Sequence, residues 1–340
     1  MIGPTLGYVQ LTEGAQMLEK WKRAVVHLEC ATDSEHFYDR IKRIDEMRAL
    51  LEQEKITHEQ FAEELSGRSR DIRFHGTALF LSHAGRRFLL TARHVVWDER
   101  SAKREMEEDA QRMMGWPEHM REHLHQTATE RAQSRIFNII FRVPSIEEVL
   151  ANQKGEEFLM NLGARTSATV PYTFSGPDLD LALISLDQRD SRFADELVAR
   201  GFAPIASDDI ADWPDSEGQE VITVGFPSST ALIGQVSQHP ATAHWSSSHF
   251  SVPVTSFGRV SMLHEQLPFY WVDMSIFPGN SGGPVVANDR LVGVVSAQAT
   301  LPIDAIPEVR TRIPFGKIIK SCYVRALLEE QIQKDRYHER

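Results

Sequence analysis

The segment FPGNSGGP at residues 277–284 constrains the fold more than any other stretch of this sequence. Glycines stand close on both sides of Ser281, so the backbone can turn tightly there and pass near a bound ligand. Successive backbone N–H groups in such a turn can point into one small space, which suits a developing oxyanion. A serine hydroxyl is a weak nucleophile by itself and needs a base nearby. The fold must therefore bring a base to this serine from elsewhere in the chain.

Two upstream segments offer the missing groups. Residues 88–96 are typical of a buried apolar strand with His94 near its end, and residues 179–184 of a strand that carries Asp180. The order along the chain is therefore His94, Asp180, Ser281. This is the order of the triad in chymotrypsin-type enzymes, and it differs from the order in subtilisins and α/β-hydrolases.

The three segments resemble the motifs of trypsin-like serine peptidases. TARH at 91–94 is similar to their Thr-Ala-x-His, DLAL at 180–183 to their Asp-Ile-Ala-Leu, and GNSGGP at 279–284 to their Gly-(Asp/Asn)-Ser-Gly-Gly-Pro. Residues 272–278 resemble the HtrA-like bacterial branch most closely. The resemblance implies an all-β fold with helical insertions: a double antiparallel β-barrel of the chymotrypsin type, with the site between the barrels, plus a C-terminal helix.

The resemblance also implies a role for each residue of the site. Ser281 would be the nucleophile, His94 the general base and later acid, and Asp180 the group that fixes the imidazole tautomer. The backbone N–H groups of Gly279 and Ser281 would form the oxyanion hole. Asp178 competes with Asp180, because residues two apart share one face of a strand. Asp180 is favoured because the residues after it then match the family motif.

Four further positions are expected, by the same resemblance, to bind the substrate. Ser275 would lie at the base of the specificity pocket, and it carries no charge, so a preference for Arg or Lys is not expected. Ser296, Ala297 and Gln298 would pair with the substrate backbone and line the pocket wall. Gln298 stands where a glycine is usual and would make the pocket shallower. We therefore expect protein or peptide substrates to be cleaved after small or medium apolar residues.

Asn280 departs from the pattern of the digestive enzymes, which carry an aspartate that pairs with a newly cut N-terminus. An amide cannot form that ion pair. Activation by N-terminal cleavage is therefore not expected, and the site is either competent as synthesised or controlled in another way.

The same glycines also fit the G-x-S-x-G nucleophile elbow of α/β-hydrolases. That fold needs an acid and a histidine after the serine. His338 is the only histidine that follows Ser281. The elbow also needs an alternating β/α pattern, which this half of the sequence lacks, so an esterase of that fold is set aside.

Composition narrows the range of partners. The chain has 37 Lys and Arg against 48 Asp and Glu, a formal net charge of −11, which argues against nucleic acid or an acidic membrane surface as the main partner.

The two cysteines, Cys30 and Cys322, form no disulfide framework and are expected to be small core residues. No signal peptide or apolar run near 18 residues is evident, so we expect a cytoplasmic protein. From the short sequence after Ser281, no PDZ domain is expected.

Capping boxes, apolar spacing and turn residues predict the domain organisation. The predicted parts are a peripheral segment at 1–20, a first barrel at 21–190 carrying His94 and Asp180, a second barrel at 191–316 carrying Ser281, and a C-terminal helix at 317–340. Helical insertions are predicted in the first barrel at 32–66 and 99–133. These insertions either pack against the barrel or dock a regulatory partner and gate the cleft, and both alternatives stay open.

No metal or organic cofactor is expected. His119 and His123 are one helical turn apart, a spacing that can bind Zn²⁺, but with His125 they lie among charged residues typical of a solvated helix face. A loop without ligand spacing contains His239, His244 and His249. The competing interpretation of the whole chain is a peptide-binding or scaffold protein that keeps a peptidase fold and acts through its helical insertions.

Overall fold

The computed structural model describes residues 13–33, 37–66, 70–123, 138–142, 157–161, 171–188, 191–228, 230, 232–235, 249–304 and 306–338. Its helices are α1 (Glu13–Lys22), α2 (Phe37–Glu52), α3 (His58–Ser66), α4 (Arg93–Val96), α5 (Glu99–Arg112), α6 (Arg192–Ala199) and α7 (Cys322–His338). Its strands are β1 (Val25–Asp33), β2 (Arg70–His83), β3 (Arg86–Ala92), β4 (Asn138–Arg142), β5 (Glu157–Asn161), β6 (Tyr172–Phe174), β7 (Leu181–Ser185), β8 (Ile205–Ala206), β9 (Glu220–Gly225), β10 (Leu232–Gln235), β11 (His249–Ser251), β12 (Val254–Met262), β13 (Phe269–Val272), β14 (Pro284–Ala287), β15 (Arg290–Ile303) and β16 (Ile306–Lys320).

An eight-stranded sheet, here called the N-terminal sheet, has the strand order β5-β4-β1-β2-β3-β7-β6, with β8 beside β2. Both faces of its central strands are buried. Leu79 and Leu90 belong to a core cluster shared with the second half of the chain, whereas Phe80 and Leu89 belong to a separate cluster on the opposite face. Burial on both faces explains why these strands are continuous apolar runs rather than alternating ones.

The second half of the chain forms a closed barrel, here called the C-terminal barrel, in the order β12-β13-β16-β15-β14-β9. Its interior holds fully buried side chains such as Tyr270, Val285 and Val295. The core cluster that contains Leu79 also contains Val224 and Val294 of the barrel, so apolar packing joins the two bodies. The mostly β architecture expected from the resemblance is confirmed.

In the described residues, the hydrogen-bonded path of the N-terminal sheet runs from β5 to β6. Strand β4 pairs with β1 over Glu29, Cys30 and Ala31, and β5 pairs with β4, so these two strands form one end of the sheet.

Two predicted boundaries are corrected by the structure. The C-terminal helix begins at Cys322 and not at residue 317, because Ile318 and Ile319 complete β16 inside the barrel. Strand β1 continues to Asp33, so the first insertion becomes helical only at Phe37. Helices α2 and α3 lie within the predicted insertion 32–66 and α5 within 99–133, while residues 124–133 lie outside the described residues.

The predicted peripheral segment is also corrected, because residues 13–22 form helix α1. Met17 and Leu18 pack against the shared core cluster, and Trp21 directly at the end of the helix is fully buried. The indole N–H of Trp21 donates a hydrogen bond to Asp289 Oδ1 in the C-terminal barrel at 2.8 Å. This helix is therefore part of the core rather than a loose extension.

Both cysteines are free thiols, and each lies at least partly inside the protein. Cys30 is fully buried in the core of the N-terminal sheet, and burial raises the pKa of its thiol. Cys322 is half-buried, and burial likewise raises the pKa of its thiol. Thiols in such surroundings are poor nucleophiles, which agrees with the packing role expected for them. None of the helices described here is long and apolar enough to cross a lipid bilayer.

Helix α7 docks on the N-terminal sheet through buried polar side chains. The hydroxyl of Ser185 donates to Asp335 Oδ2 at 2.6 Å, and Gln331 Nε2 donates to Asp335 Oδ1 at 2.8 Å. Thr173 Oγ1 donates to Gln331 Oε1 at 2.8 Å. Because Gln331 and Asp335 are fully buried, these bonds fix the position of the last helix against β6 and β7.

We expect Asp335→Ala to lower the free energy of unfolding by about 2–5 kcal/mol, because it removes the acceptor of the buried hydrogen bonds from Ser185 and Gln331. Alanine has the highest helix propensity, so a loss cannot come from the helix itself. Urea denaturation followed by tryptophan fluorescence measures it. Arg336→Ala, at an exposed position of the same helix, is the control, and an equal effect in the two variants would contradict the interpretation.

Candidate active site

The register of β3 and β7 brings His94 and Asp180 together. The two strands are antiparallel with Ala92 opposite Leu181, so the chain leaving β3 lies beside the chain entering β7. His94 stands in the helical turn α4 that follows β3. Its Nδ1 lies 2.8 Å from Asp180 Oδ2, and its backbone N–H donates to Asp180 Oδ1 at 3.0 Å. One carboxylate thus holds both the ring and the main chain of His94.

Asp180 has an unusual backbone conformation that aims its carboxylate. Its φ is +50°, in the left-handed region, which Asp and Asn adopt more readily than other residues with a Cβ. Its carbonyl accepts a hydrogen bond from the N–H of Arg93 at 2.9 Å. Asp180 therefore immediately precedes β7, rather than lying within a strand as the sequence suggested. The structure places Asp180, and not the exposed Asp178, against His94.

Ser296 of the C-terminal barrel gives Asp180 a second hydrogen-bond donor. The hydroxyl of Ser296, which is 6% exposed, donates to Asp180 Oδ2 at 2.7 Å. Because Asp180 Oδ2 is an acceptor, His94 must carry its proton on Nδ1 in this contact. The other ring nitrogen, Nε2, is then the one with a lone pair available as a base.

The loop that carries Ser281 joins β13 to β14 and depends on two glycines. Gly279 and Gly282 have φ values of +98° and +86°. A Cβ atom at Gly279 would lie 2.1 Å from the carbonyl oxygen of Phe226, and one at Gly282 would lie 2.1 Å from that of Thr77. Any side chain at either position would clash with backbone, so both the handedness and the space require glycine.

Thr77 of β2 fastens the serine loop to the N-terminal sheet. Its N–H donates to the carbonyl of Ser281 at 2.9 Å, and its hydroxyl donates to the carbonyl of Gly279 at 2.7 Å. The same hydroxyl oxygen accepts a bond from the N–H of Phe226 at 3.0 Å. Thr91 Oγ1 donates in turn to the carbonyl of Thr77 at 2.8 Å. This buried threonine therefore connects three segments beneath the serine.

The orientation of the loop leaves two backbone N–H groups available. Pro278 presents its carbonyl to the N–H and hydroxyl of Ser228, at 2.8 and 3.0 Å. Because C=O and N–H point in opposite directions across a trans peptide, the N–H of Gly279 points away from Ser228. Within the described part of the chain, neither Gly279 nor Ser281 donates its N–H to another group. Two such donors close together can stabilise an anionic oxygen.

One cavity of about 490 Å³ is lined by His94, Asp180 and Ser281 together. The hydroxyl of Ser281 makes a long hydrogen bond of 3.4 Å to the carbonyl of Ser296. The rest of the lining includes Ile276, Ser296, Ala297 and Gln298. The arrangement thus combines a hydroxyl, an imidazole backed by a carboxylate, and two N–H donors around a space large enough for a side chain.

Comparison with known proteins agrees with this geometry. A family model described as a trypsin-like peptidase domain matches residues 76–294, which is more than half of the chain. The chain belongs to the trypsin-like peptidase family. Serine protease PepD of Mycobacterium tuberculosis (strain ATCC 25618 / H37Rv) is 29% identical to it over 167 residues, which are 48% of this chain and 32% of PepD. The chain therefore spans about a third of the length of that curated relative.

The predicted pocket residues of this trypsin-like peptidase divide into two groups. Ser296, Ala297 and Gln298 line the cavity, as expected from the sequence. Ser275 is exposed and is not among the described residues that line it, whereas its neighbour Ile276 lines the cavity and is 2% exposed. Burial alternates along residues 273–277, so the side chains of Ser275 and Ile276 point to opposite sides of the chain. The predicted position of Ser275 at the bottom of the specificity pocket is therefore corrected.

Gln298 is held across the cavity wall by the neighbouring strand. Its Nε2 donates to the carbonyl of Ile313 at 3.1 Å. Its Oε1 is buried and accepts no hydrogen bond from any described residue. The side chain thus presents an unused acceptor beside the cavity.

Asn280 occupies the buried position beside Ser281, with 2% of its surface exposed. Its backbone N–H donates to Phe277 at 3.0 Å, and its carbonyl accepts from Gly283 at 2.8 Å. Its Oδ1 is buried and has no hydrogen-bond donor in the described part of the chain. Main-chain bonds, rather than the side chain of Asn280, hold this turn.

Two of the histidines considered as metal ligands lie apart from the cavity. His119 and His123 are exposed in the helical segment 118–123, whereas His125, His239 and His244 lie outside the described residues. His249 falls in β11, where only the backbone is described. Neither His119 nor His123 lines the cavity described above.

Sequence reasoning missed Thr77 and Ser228, which shape the loop from other elements. Neither belongs to a motif, because each acts across a tertiary contact. A signal did exist for Thr77, since a hydroxyl near the start of the apolar run 77–81 must be buried and must find a partner.

We expect Thr77→Val to lower the free energy of unfolding by about 2–6 kcal/mol, because it leaves the carbonyl of Gly279 and the N–H of Phe226 unpaired in the interior. Valine keeps the shape and the strand preference of threonine, so the loss isolates the hydroxyl. Thr77→Ser is the matched control and should retain most of the stability. Urea denaturation in a Ser281→Ala background makes the measurement without self-cleavage, and a valine variant as stable as the parent would contradict this role.

Proposed function

We propose that the chain is a serine endopeptidase that cleaves protein substrates through an acyl-enzyme intermediate. The observation that carries this proposal is the pairing of His94 Nδ1 with Asp180 at 2.8 Å on the wall of the cavity that Ser281 also lines. Membership of the trypsin-like peptidase family supports it. In this reaction Ser281 is the nucleophile, His94 the general base and acid, and Asp180 the orienting carboxylate.

The hydrogen bonds of the site give each proton a route. The Nδ1–H of His94 donates a hydrogen bond to Asp180. Nε2 of His94 is therefore free of a proton and accepts the one from Ser281 as Oγ attacks the substrate carbonyl carbon. The 3.4 Å bond from Ser281 to the carbonyl of Ser296 is long and therefore weak, and rotation of the serine side chain releases it. Catalytic hydrogen bonds commonly tighten only when substrate is bound. The protonated imidazole then gives its proton to the leaving amine.

The two available N–H groups provide the electrostatic part of the proposal. Attack by Ser281 converts the carbonyl oxygen into an oxyanion, and the N–H groups of Gly279 and Ser281 are the donors for it. The bonds from Ser228 and Thr77 fix the peptides on both sides of Gly279, so little reorganisation is needed during the reaction. Water then hydrolyses the acyl-enzyme with His94 as the base.

Cleavage after small or medium apolar residues remains the proposed preference, now resting on different residues. Ile276 gives the cavity an apolar wall. The side chain of Gln298 in β15 narrows the cavity. No carboxylate among the described residues lines this cavity except Asp180, which is already engaged by His94 and Ser296. A basic substrate side chain would therefore lack a counter-charge there.

The turn around Ser281 supports the proposal that the site is competent without cleavage of the N-terminus. The side chain of Asn280 carries no charge, so the conformation of the turn does not depend on an ion pair. Bonds from Thr77 and within the turn take that role. A regulatory partner at the helical insertions stays a prediction.

A fluorophosphonate probe tests the nucleophile. We expect it to label the wild-type chain once, to leave Ser281→Ala unlabelled, and to label His94→Ala at least about a thousandfold more slowly, because the hydroxyl then lacks its base. Ser261→Ala, at an exposed serine of β12, should label like the wild type. A folded wild-type chain that is not labelled would favour the scaffold interpretation.

The specificity proposal is tested by profiling cleavage of a peptide library with the wild type and Gln298→Gly. We expect the wild type to prefer small or medium apolar residues before the cut bond. Gln298→Gly should raise kcat/KM for Phe or Leu at that position by about tenfold, since a larger pocket buries more apolar surface. A dominant preference of the wild type for basic or acidic residues would contradict the proposal.

A further inference from the structure

Two histidines and a glutamate share one face of the strand pair β1–β2, outside the proposed triad. Glu29 lies directly opposite His75 in the antiparallel register. His27 precedes Glu29 by two residues and therefore projects from the same face of β1. Side chains that are opposite or diagonal on one face of such a pair are within reach of one another.

The potential ligand atoms of these side chains converge. Nδ1 of His27 lies 3.9 Å from Glu29 Oε1, and Nδ1 of His75 lies 4.0 Å from the same oxygen. One ligand atom from each residue falls within 4.8 Å of the other two. The two imidazole rings are nearly parallel, with an interplanar angle of 13° and centroids 5.7 Å apart.

These distances are close to those of a zinc site. Four ligands at the usual zinc bond lengths of about 2.0–2.1 Å stand roughly 3.4 Å apart in a tetrahedron. The observed separations of 3.9 and 4.0 Å exceed this by less than an ångström. Side-chain rotations of Glu29 and of the half-exposed His75 would bring both imidazoles within bonding distance of one ion.

Burial and charge favour an ion at this position. Glu29 is 1% exposed and His27 is 8% exposed, so a carboxylate is held in the interior beside an imidazole. A buried carboxylate is costly unless a positive charge or a metal ion compensates it. His75 also lines the cavity that contains Ser281, which provides a path from solvent to the three ligands.

We propose that His27, Glu29 and His75 bind one Zn²⁺ ion, with water as the fourth ligand. Two imidazoles and one carboxylate are donors that zinc prefers, and three protein ligands leave one position open. The ion would be separate from the proposed triad, so the proposal does not depend on peptidase activity.

The position of the ion gives it a structural influence on the serine loop. The ring of His27 contacts that of Phe226, with centroids 5.0 Å apart. Phe226 donates its N–H to Thr77, which stands opposite His27 in the strand pair and holds the carbonyl of Ser281. Zinc binding at His27 and His75 therefore restrains the junction between the N-terminal sheet and the C-terminal barrel.

Cobalt substitution tests the site directly, because Co²⁺ replaces Zn²⁺ and absorbs visible light when held by protein ligands. The full chain carrying Ser281→Ala is treated with a chelator and titrated with Co²⁺ alone. We expect visible bands that saturate at one Co²⁺ per chain and vanish when Zn²⁺ is added. A folded chain that gives no bands would overturn the proposal.

Variants in the same background assign the ligands. His75→Ala and Glu29→Gln should weaken Zn²⁺ binding at least about a hundredfold in chelator competition. The double variant His119→Ala/His123→Ala and the single variant His94→Ala are controls for the other candidate histidines, and both should bind like the parent. Tight binding that survives in His75→Ala, or that is lost in either control, would place the ion elsewhere and refute the assignment.

Thermal unfolding of the same variants is the control for correct folding. Zn²⁺ should raise the Tm of the Ser281→Ala chain by several degrees at a large excess over Kd and leave the Tm of the His75→Ala chain unchanged. His75 is the decisive position, because 35% of its side chain is exposed and its replacement does not open the core. An equal rise in the two chains would show binding outside the proposed ligands.

Discussion

The hydrogen bonds of Thr77 are the interaction on which the site depends. The serine loop belongs to the C-terminal barrel, whereas Thr77 belongs to the N-terminal sheet, yet the loop's carbonyls at Gly279 and Ser281 are both held by this residue. A turn with two left-handed glycines has many other conformations open to it. Buried bonds from a rigid strand select one of them, so the orientation of the N–H groups is set by the body that does not contain the serine.

Asp180 makes the reciprocal connection. It belongs to the N-terminal sheet and holds His94, but one of its hydrogen-bond donors is Ser296 of the C-terminal barrel. Each body therefore orients the reactive group of the other across the same interface. Apolar packing between Leu79, Leu90 and Val294 provides the adhesion, while the polar bonds fix the alignment. Small shifts of one body against the other would disturb both connections together.

The sequence predicted the local parts of this arrangement well. The family and its mostly β fold followed from the resemblance of the three motifs, whereas the strands beside them and the helices of both insertions followed from residue order and periodicity. Glycine spacing marked the turn at Ser281, because a left-handed backbone leaves a trace in the sequence. Three features were not predicted: the exposed position of Ser275, the presence of helix α1 and the side-chain cluster at His27. Each depends on strand register or on packing between distant segments.

Helices α2 and α3 are inserted between β1 and β2, and the register of these two strands keeps Thr77 beside the serine loop. These helices join β1 to β2, the strands that carry the histidine cluster and Thr77. The pairing is regular from Val25 to Cys30, and a bulge follows between Cys30 and Ala31, before the chain enters the insertion. A bulge absorbs an extra residue without shifting the pairs beyond it. The insertion can therefore change in length or bind another molecule while Thr77 keeps its place, since a shift of one residue would turn Thr77 away from the serine loop.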